Sequence, residues 1–134
     1  MKKLNKITED IMPSLQGVIP SCLETCSAQG IPNTTAVSQV FYVDENHVAV
    51  SHQFFNKTKH NISENPVARV IITCPVTYKL RKLLLRFIES QNSGEIFEQM
   101  RLQLDVISTT QHKEGIFKLR SADIFEVLSI ETLE

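Results

Sequence analysis

The sequence predicts a mainly β (α+β) fold, an antiparallel barrel with helices packed on its outside. Segments rich in β-branched and aromatic residues are joined by tight turns, which is typical of antiparallel strands. No strand–helix rhythm repeats along the chain, which argues against a doubly wound parallel sheet. The 134 residues are expected to form a single domain, residues 1–134, with a core of its own.

The first half of the chain predicts one short helix followed by three strands. The helix is expected over Thr8–Leu15, and the strands over Ser21–Ala28, Thr34–Val43 and His47–Phe55. Turn signals separate these strands, because glycine, proline, asparagine and aspartate interrupt the apolar segments at Gln29–Pro32 and Asp44–Asn46.

The second half begins with a short helix over Lys57–Glu64, which Asn65 and Pro66 end. Two strands and a longer helix should follow, at Val67–Thr73, Lys79–Ser90 and Glu95–Ile107. In the longer helix, apolar residues recur at spacings of three and four and give one apolar face. The chain should close with one bent strand or two, over Ile116–Leu119 and Ile124–Ile130.

Composition narrows the classes of function. Fourteen basic and 15 acidic residues give a net charge of −1, which argues against a broad nucleic-acid surface. No segment has the roughly 20 apolar residues that span a bilayer, and no apolar stretch of a signal peptide follows the basic start. Cys22, Cys26 and Cys74 fit neither a zinc site nor a redox pair, so small core residues in a cytoplasmic protein are expected. The four histidines are scattered, which gives no metal site.

The junction between the third strand and the short helix carries the clearest functional pattern. Asn56 is placed to cap the helix, and Lys57 and Lys59 follow it. A helix start has unpaired N–H groups and a partial positive charge, so the added lysines predict a phosphate site. The alternative is a surface turn with solvated lysines.

Several motifs in order along the chain carry a resemblance to a known family. They are Gly30-x-Pro32, Asn56-Lys57-Thr58, Asn65-Pro66-x-Ala68, Gly94-x-x-Phe97-Glu98-x-Met100 and Gly115-x-Phe117-x-Leu119-Arg120-x-x-Asp123. From about Thr8 to Glu131 the chain resembles the FMN-binding split-barrel flavoproteins related to pyridoxamine 5′-phosphate oxidase. The resemblance implies a six-stranded antiparallel split β-barrel with flanking helices. It also implies a homodimer that binds FMN in clefts between the subunits.

The resemblance also implies which residues hold the cofactor. Lys57 and Thr58 take the positions of two cations that usually hold the phosphate, and Lys59 could compensate for the missing one. Further contacts to the isoalloxazine ring or ribityl chain are implied for residues on the neighbouring strands: Ser51, His52, Gln53, Ser38, Gln39 and Arg81. The alternative for His52 is a half-buried histidine that is hydrogen-bonded to a neighbour.

The implied activity is that of an FMN-dependent oxidoreductase acting on a small organic substrate. The chain has no tryptophan and lacks the Arg-x-His motif near the C-terminus that grips substrate phosphate in the true oxidases, so oxidation of pyridoxine phosphate is not expected. Two alternatives remain open. One is a sensory module that binds flavin or haem without turnover, with His112 as a possible haem ligand, and the other is a cofactor-free dimeric scaffold.

Overall fold

The computed structural model describes residues 3–15, 19–52, 56–110 and 119–133, and within these ranges the chain is mainly β. Its eight strands are β1 (Lys3–Leu4), β2 (Ser21–Cys26), β3 (Pro32–Val37), β4 (Val40–Asp44), β5 (His47–His52), β6 (Val67–Thr73), β7 (Leu80–Gln91) and β8 (Ser121–Leu133). The two α-helices are α1 (Asn56–Glu64) and α2 (Glu95–Thr110). A 3₁₀ helix, Met12–Leu15, precedes β2.

All strands belong to one antiparallel sheet with the order β3-β2-β6-β7-β8-β5-β4, and β1 pairs with β8 beside this path. The described path therefore contains seven strands rather than the six expected. The strands at its two ends, β3 and β4, are consecutive in the chain and only Ser38 and Gln39 separate them. Three successive Cα–Cα steps span at most about 11 Å, so the two ends of the sheet lie close together.

The single strand predicted over Thr34–Val43 is wrong, and the pattern of burial gives the reason. Val37 and Val40 both lie in the main core, although residues three apart in a continuous strand point to opposite faces. The chain must therefore turn between them, and it does so at Ser38 and Gln39. The backbone N–H of Ser51 donates to the Gln39 carbonyl at 3.2 Å, which fixes this turn against β5.

Other boundaries shift in ways that local chemistry explains. The predicted opening helix shortens to the 3₁₀ helix, because N–H groups there bond three residues back, as Ile11 does to Thr8 at 3.0 Å. The last strand begins at Ser121 and runs unbroken to Leu133, so the predicted interruption before Ile124 is absent. Residues 53–55 and 116–118, which the predictions placed in strands, lie outside the described residues.

Two apolar clusters hold the fold together. The main core lies on one side of the sheet and includes Ile11, Val70, Leu83 and Phe125. A second cluster forms where α2 packs on β5 and β8, with Met100 and Leu104 on the predicted apolar face of the helix: Ala49, Met100, Leu104, Leu119, Ala122 and Ile124. Neither described helix has the length and apolar character that crossing a bilayer requires.

Candidate functional site

The start of α1 leaves positive charge exposed to solvent. The helix begins at Asn56, and the following Lys57 is exposed and forms no ion pair with the described residues. The first turn contains no acidic residue that would neutralise the partial positive charge of the helix end. An anion placed there would meet unpaired backbone N–H groups and one free ammonium group. The side chain of Asn56 lies outside the described residues.

The next residue, Thr58, is buried and points towards the sheet. Its hydroxyl oxygen accepts a hydrogen bond of 3.1 Å from the Asn33 side-chain amide on β3. One turn later, the buried Asn61 amide donates to the Thr25 hydroxyl on β2 at 3.1 Å. These two bonds fix the orientation of α1 against β2 and β3, so the direction in which the helix start points is determined by the fold.

Lys59 is bound within the protein rather than free. Its Nζ donates to Asp123 Oδ1 at 2.9 Å, contacts Ser90 Oγ and lies 5.7 Å from the centre of the Phe87 ring. Asp123 is only 1% exposed, and its Oδ1 also accepts from the hydroxyls of Ser90 at 2.7 Å and Ser121 at 2.9 Å. We call Asp123, Lys59, Ser90, Ser121 and His52 the Asp123 network.

His52 joins this network through Ser121. The hydroxyl of Ser121 donates its one proton to Asp123, so at 3.3 Å it must accept from His52 Nδ1, which carries the ring proton. Burial lowers the pKa of His52; the carboxylate of Asp123 opposes this, while the charges of Lys59 and Arg120 reinforce it. The ring is therefore neutral at pH 7, with a fixed tautomer.

Alternation along β5 separates Ser51 from His52. Val48, Val50 and His52 face the main core, whereas Ala49 and Ser51 face α2. The Ser51 hydroxyl is fully buried and donates to the carbonyl of Gln39 at 3.5 Å, a long bond.

Gln39 is also buried, and its amide nitrogen donates to the carbonyl of Met100 at 3.4 Å and to the side chain of Gln103. It therefore ties α2 to the turn between β3 and β4. Ser38, the other residue of that turn, is half-buried. Gln53 lies outside the described residues.

Arg81 lies far from these groups within the chain. It is the second residue of β7, whereas Ser90 is the second-last, and nine residue-to-residue steps along the strand separate them by roughly 30 Å. Its guanidinium donates to Asp10 at 3.2 Å. The predicted cofactor residues therefore fall into three groups, one at the α1 end of β7, one beneath α2 and Arg81 alone at the opposite end.

No sequence pattern indicated Asp123, Ser90, Ser121 or Arg120 as site residues. The spacing of Ser121 and Asp123 on one strand face was a usable signal, since two polar residues there interrupt an otherwise apolar inner side. Arg120 is exposed, its backbone N–H donates to the His52 carbonyl at 2.9 Å, and its charge reaches the imidazole. No group of three or more metal-ligating side chains exists among the described residues.

Comparison with solved structures identifies the fold. An FMN-binding protein of Syntrophomonas wolfei superposes with a TM-score of 0.77 at 15% identity, covering 93% of this chain and 85% of that one. A pyridoxamine 5′-phosphate oxidase-related, FMN-binding protein of Nostoc punctiforme gives 0.56 at 12% identity, covering 93% and 81%. HutZ, the haem storage protein of Vibrio cholerae, gives 0.54 at 16% identity, covering 92% and 93%. The resemblance that the sequence indicates is thus confirmed at the level of the fold.

Sequence comparison adds little about function. No protein-family model matches the chain. An uncharacterized protein of Methanocaldococcus jannaschii is 36% identical over 80 residues, which are 55% of this chain and 53% of that protein. The match therefore spans about half the length of this curated relative.

Proposed function

We propose that this chain is a homodimeric FMN-binding protein that carries out redox chemistry on a small organic substrate. The observation that carries the proposal is the exposed, positively charged start of α1, where Lys57 has no acidic partner among the described residues. Support also comes from the fold, since solved structures with this fold include proteins described as FMN-binding. When bound, FMN would supply the electron transfer, and the protein would position the ring and exclude water from it.

The residues at the α1 end would have different roles in binding FMN. Lys57 and the first N–H groups of α1 would hold the phosphate, with Thr58 fixed behind them by Asn33. Lys59 would act indirectly, since its charge is already balanced by Asp123. His52 would also act indirectly, since its ring is buried and held by Ser121 within the Asp123 network.

The homodimer belongs to the same proposal. The outer face of the sheet exposes Val67, Leu84 and Ile88, all 36% or more accessible, on β6 and β7. Beside them lies a groove of about 320 Å³ whose lining includes Val67, Leu84 and the ion pair of Glu24 with Arg69. A second copy of the chain would cover these apolar groups and bring its own residues to the cofactor cleft. Replacing Leu84 by glutamate should then convert the dimer to a monomer in light-scattering measurements.

The cofactor proposal is tested by titrating FMN and riboflavin into the purified protein while recording visible absorption and flavin fluorescence. FMN should bind at least about tenfold more tightly than riboflavin, because only FMN has the phosphate that Lys57 and the helix start would hold. Lys57→Glu should abolish most of this preference and leave riboflavin binding unchanged. Lys79→Glu, which reverses the charge of an exposed lysine at the opposite end of β7, is the matched control.

Four outcomes decide between the functions. Flavin binding together with oxidation of a reduced nicotinamide or reduction of an acceptor supports the enzyme. Tight binding without turnover supports a sensory module, and an intense haem band in the purified protein places it with haem-binding proteins such as HutZ. A colourless protein that leaves both flavins free in solution contradicts the proposal and favours a cofactor-free scaffold.

A further inference from the structure

The far end of the sheet, where β6 turns into β7, brings a buried thiol and a buried guanidinium together. Cys74 directly follows β6 and is 4% exposed, and Arg81, near the start of β7, is 6% exposed. Arg81 pairs in register with Ile72, and Cys74 lies two residues beyond Ile72 on the same inward side. The two residues are therefore diagonal neighbours, whose Cα atoms lie about 7–8 Å apart in an antiparallel pair.

The guanidinium of Arg81 lacks an acceptor on one side. Its Nη2 donates to Asp10 Oδ2 at 3.2 Å. Its Nη1 is buried and has no hydrogen-bond partner among the described residues. Buried donors are nearly always paired, so this nitrogen is a donor available to a neighbouring group that can accept.

The turn after Cys74 joins β6 to β7 and sets the electrostatic surroundings of the thiol. Backbone bonds close the turn, from Tyr78 N to the Cys74 carbonyl at 2.8 Å and from Cys74 N to the Lys79 carbonyl at 2.9 Å. Tyr78 adopts a left-handed φ of 60°, an uncommon conformation for a residue other than glycine. The Thr77 hydroxyl, the backbone N–H groups of Thr77 and Val76, and the charge of Arg81 lower the pKa of Cys74 to about 7.

We infer that Cys74 is a reactive thiol that hydroperoxides oxidise, with Arg81 as the counter-ion of its thiolate and of the oxidised product. Ionisation of the thiol, or addition of an oxygen to it, supplies the acceptor that Nη1 lacks. A functional cysteine of this kind needs electropositive surroundings, which Arg81 and the turn provide. The adjoining turn is open to solvent, because Val76 and Tyr78 are more than 70% exposed.

The reaction is a two-electron oxidation of sulfur. The thiolate attacks one peroxide oxygen, an S–O bond forms, the O–O bond breaks, and the leaving hydroxide or alkoxide takes a proton from solvent. The peroxide is thereby reduced to water or to an alcohol, and a sulfenic acid remains on Cys74. A small thiol can then displace water from the sulfenic acid and leave a mixed disulfide. The inference does not depend on the proposed flavin site, which lies at the opposite end of β7.

Cys22 and Cys26 are internal references for this chemistry. Both are free and half-buried on the outer face of β2, away from Arg81. Because Cys26 lines the outer groove that a second copy would cover, this comparison is made in the monomeric Leu84→Glu protein, where greater exposure alone would make both react faster than the buried Cys74. Faster reaction of Cys74 therefore cannot be a consequence of exposure.

The test measures alkylation of all three cysteines by iodoacetamide in the full-length protein between pH 5.5 and 9.5, with peptide mass spectrometry as the readout. Reaction of Cys74 should show a midpoint near pH 7. In Thr77→Val and Arg81→Gln this midpoint should move upwards. At pH 7 the alkylation rate of Cys74 should fall severalfold. The fall reaches roughly tenfold or more when a half-ionised thiol becomes an ordinary one, because the thiolate is the form that reacts.

Arg86→Gln is the matched control, because Arg86 is an exposed arginine on the same strand. Arg81→Lys keeps the charge and serves if Arg81→Gln fails to fold. Hydrogen peroxide followed by dimedone should label Cys74 before Cys22 and Cys26. Equal labelling of the three cysteines overturns the inference. So does an alkylation midpoint of Cys74 at or above pH 8.5 that does not change in Thr77→Val and in the Arg81 variants.

Discussion

Buried polar side chains lie at both ends of β7, but their hydrogen-bond partners differ. At the α1 end, one oxygen of Asp123 accepts from Lys59 and two serine hydroxyls, and His52 completes the network. At the other end, Arg81 has one carboxylate partner among the described residues, Asp10, whose side chain is 68% exposed. The first arrangement joins five side chains through one carboxylate, whereas the second leaves one guanidinium nitrogen without an acceptor among the described residues.

This difference separates positioning from reactivity. A buried network whose members are joined by hydrogen bonds holds them in one geometry, which suits residues that orient a cofactor or a helix. A buried cation with an unused donor instead favours any neighbouring group that becomes negative, and Cys74 is such a group. We therefore expect substitutions at the α1 end to affect stability most, and substitutions at the Arg81 end to affect chemistry.

The largest effect is expected from Asp123→Ala. It removes the carboxylate that accepts from Lys59, Ser90 and Ser121, and the two serine hydroxyls lose their partner. The unfolding free energy should fall by about 2–4 kcal/mol. Asp10→Ala removes the carboxylate acceptor of the buried Arg81, but Asp10 is 68% exposed and water can take its place, so the loss should be smaller, about 1–2 kcal/mol. Urea unfolding followed by circular dichroism measures both. Equal midpoints for Asp123→Ala and the wild type would contradict the contrast between the two ends.

A smaller effect is expected from Arg81→Met. This change removes the guanidinium together with its unused donor and leaves an apolar side chain of similar length beside Ile72. Because replacing an incompletely paired buried ion by an apolar group is often neutral or stabilising, unfolding should shift by no more than about 1 kcal/mol in either direction. A loss beyond about 3 kcal/mol in the same urea experiment would show that the guanidinium is fully satisfied in the native state.

Local patterns predicted most of the strands and helices but not how polar residues meet. Val67–Thr73 was predicted to the residue because alternation and the preceding Asn-Pro both mark it. The turn at Ser38 and Gln39 was missed because neither residue is a glycine or proline. The turn becomes visible only when Val37 and Val40 are seen to share one core.

The site shows the same limit. Lys57 and Lys59 look alike in sequence, and only the sheet register, which places Asp123 opposite Ser90, tells which lysine is neutralised. The pairing of Arg81 with Ile72 likewise brings Cys74 beside a charge that no spacing in the sequence reveals. Such contacts arise between strands that are distant in the chain.

The pH dependence of stability tests the Asp123 network more finely. Burial lowers the pKa of His52, so the folded state favours the neutral ring. The stability from this group is fully present above its unfolded pKa of about 6.5 and is lost as pH falls through the lower folded value. Unfolding midpoints should therefore fall between pH 7 and pH 5 in the wild type and less in His52→Gln. Parallel curves for the two proteins would contradict the assigned neutral ring.

The smallest effect concerns the outer face, where Arg69 donates to both carboxylate oxygens of Glu24 at 2.8 and 3.1 Å. The hydrogen bond from Arg69 lowers the pKa of Glu24, so this stability is present above the unfolded pKa and is lost as pH falls through the folded value. Both side chains are partly exposed, so a double-mutant cycle of Glu24→Gln and Arg69→Gln at pH 7 should give only about 0.2–1 kcal/mol in a monomer.

If a second copy covers this face, water leaves the pair and the coupling should rise with protein concentration. Repeating the cycle in Leu84→Glu then separates the two cases. A coupling that is independent of concentration and of residue 84 would mean that this face stays in solvent, and the cofactor cleft would have to be built by one chain alone.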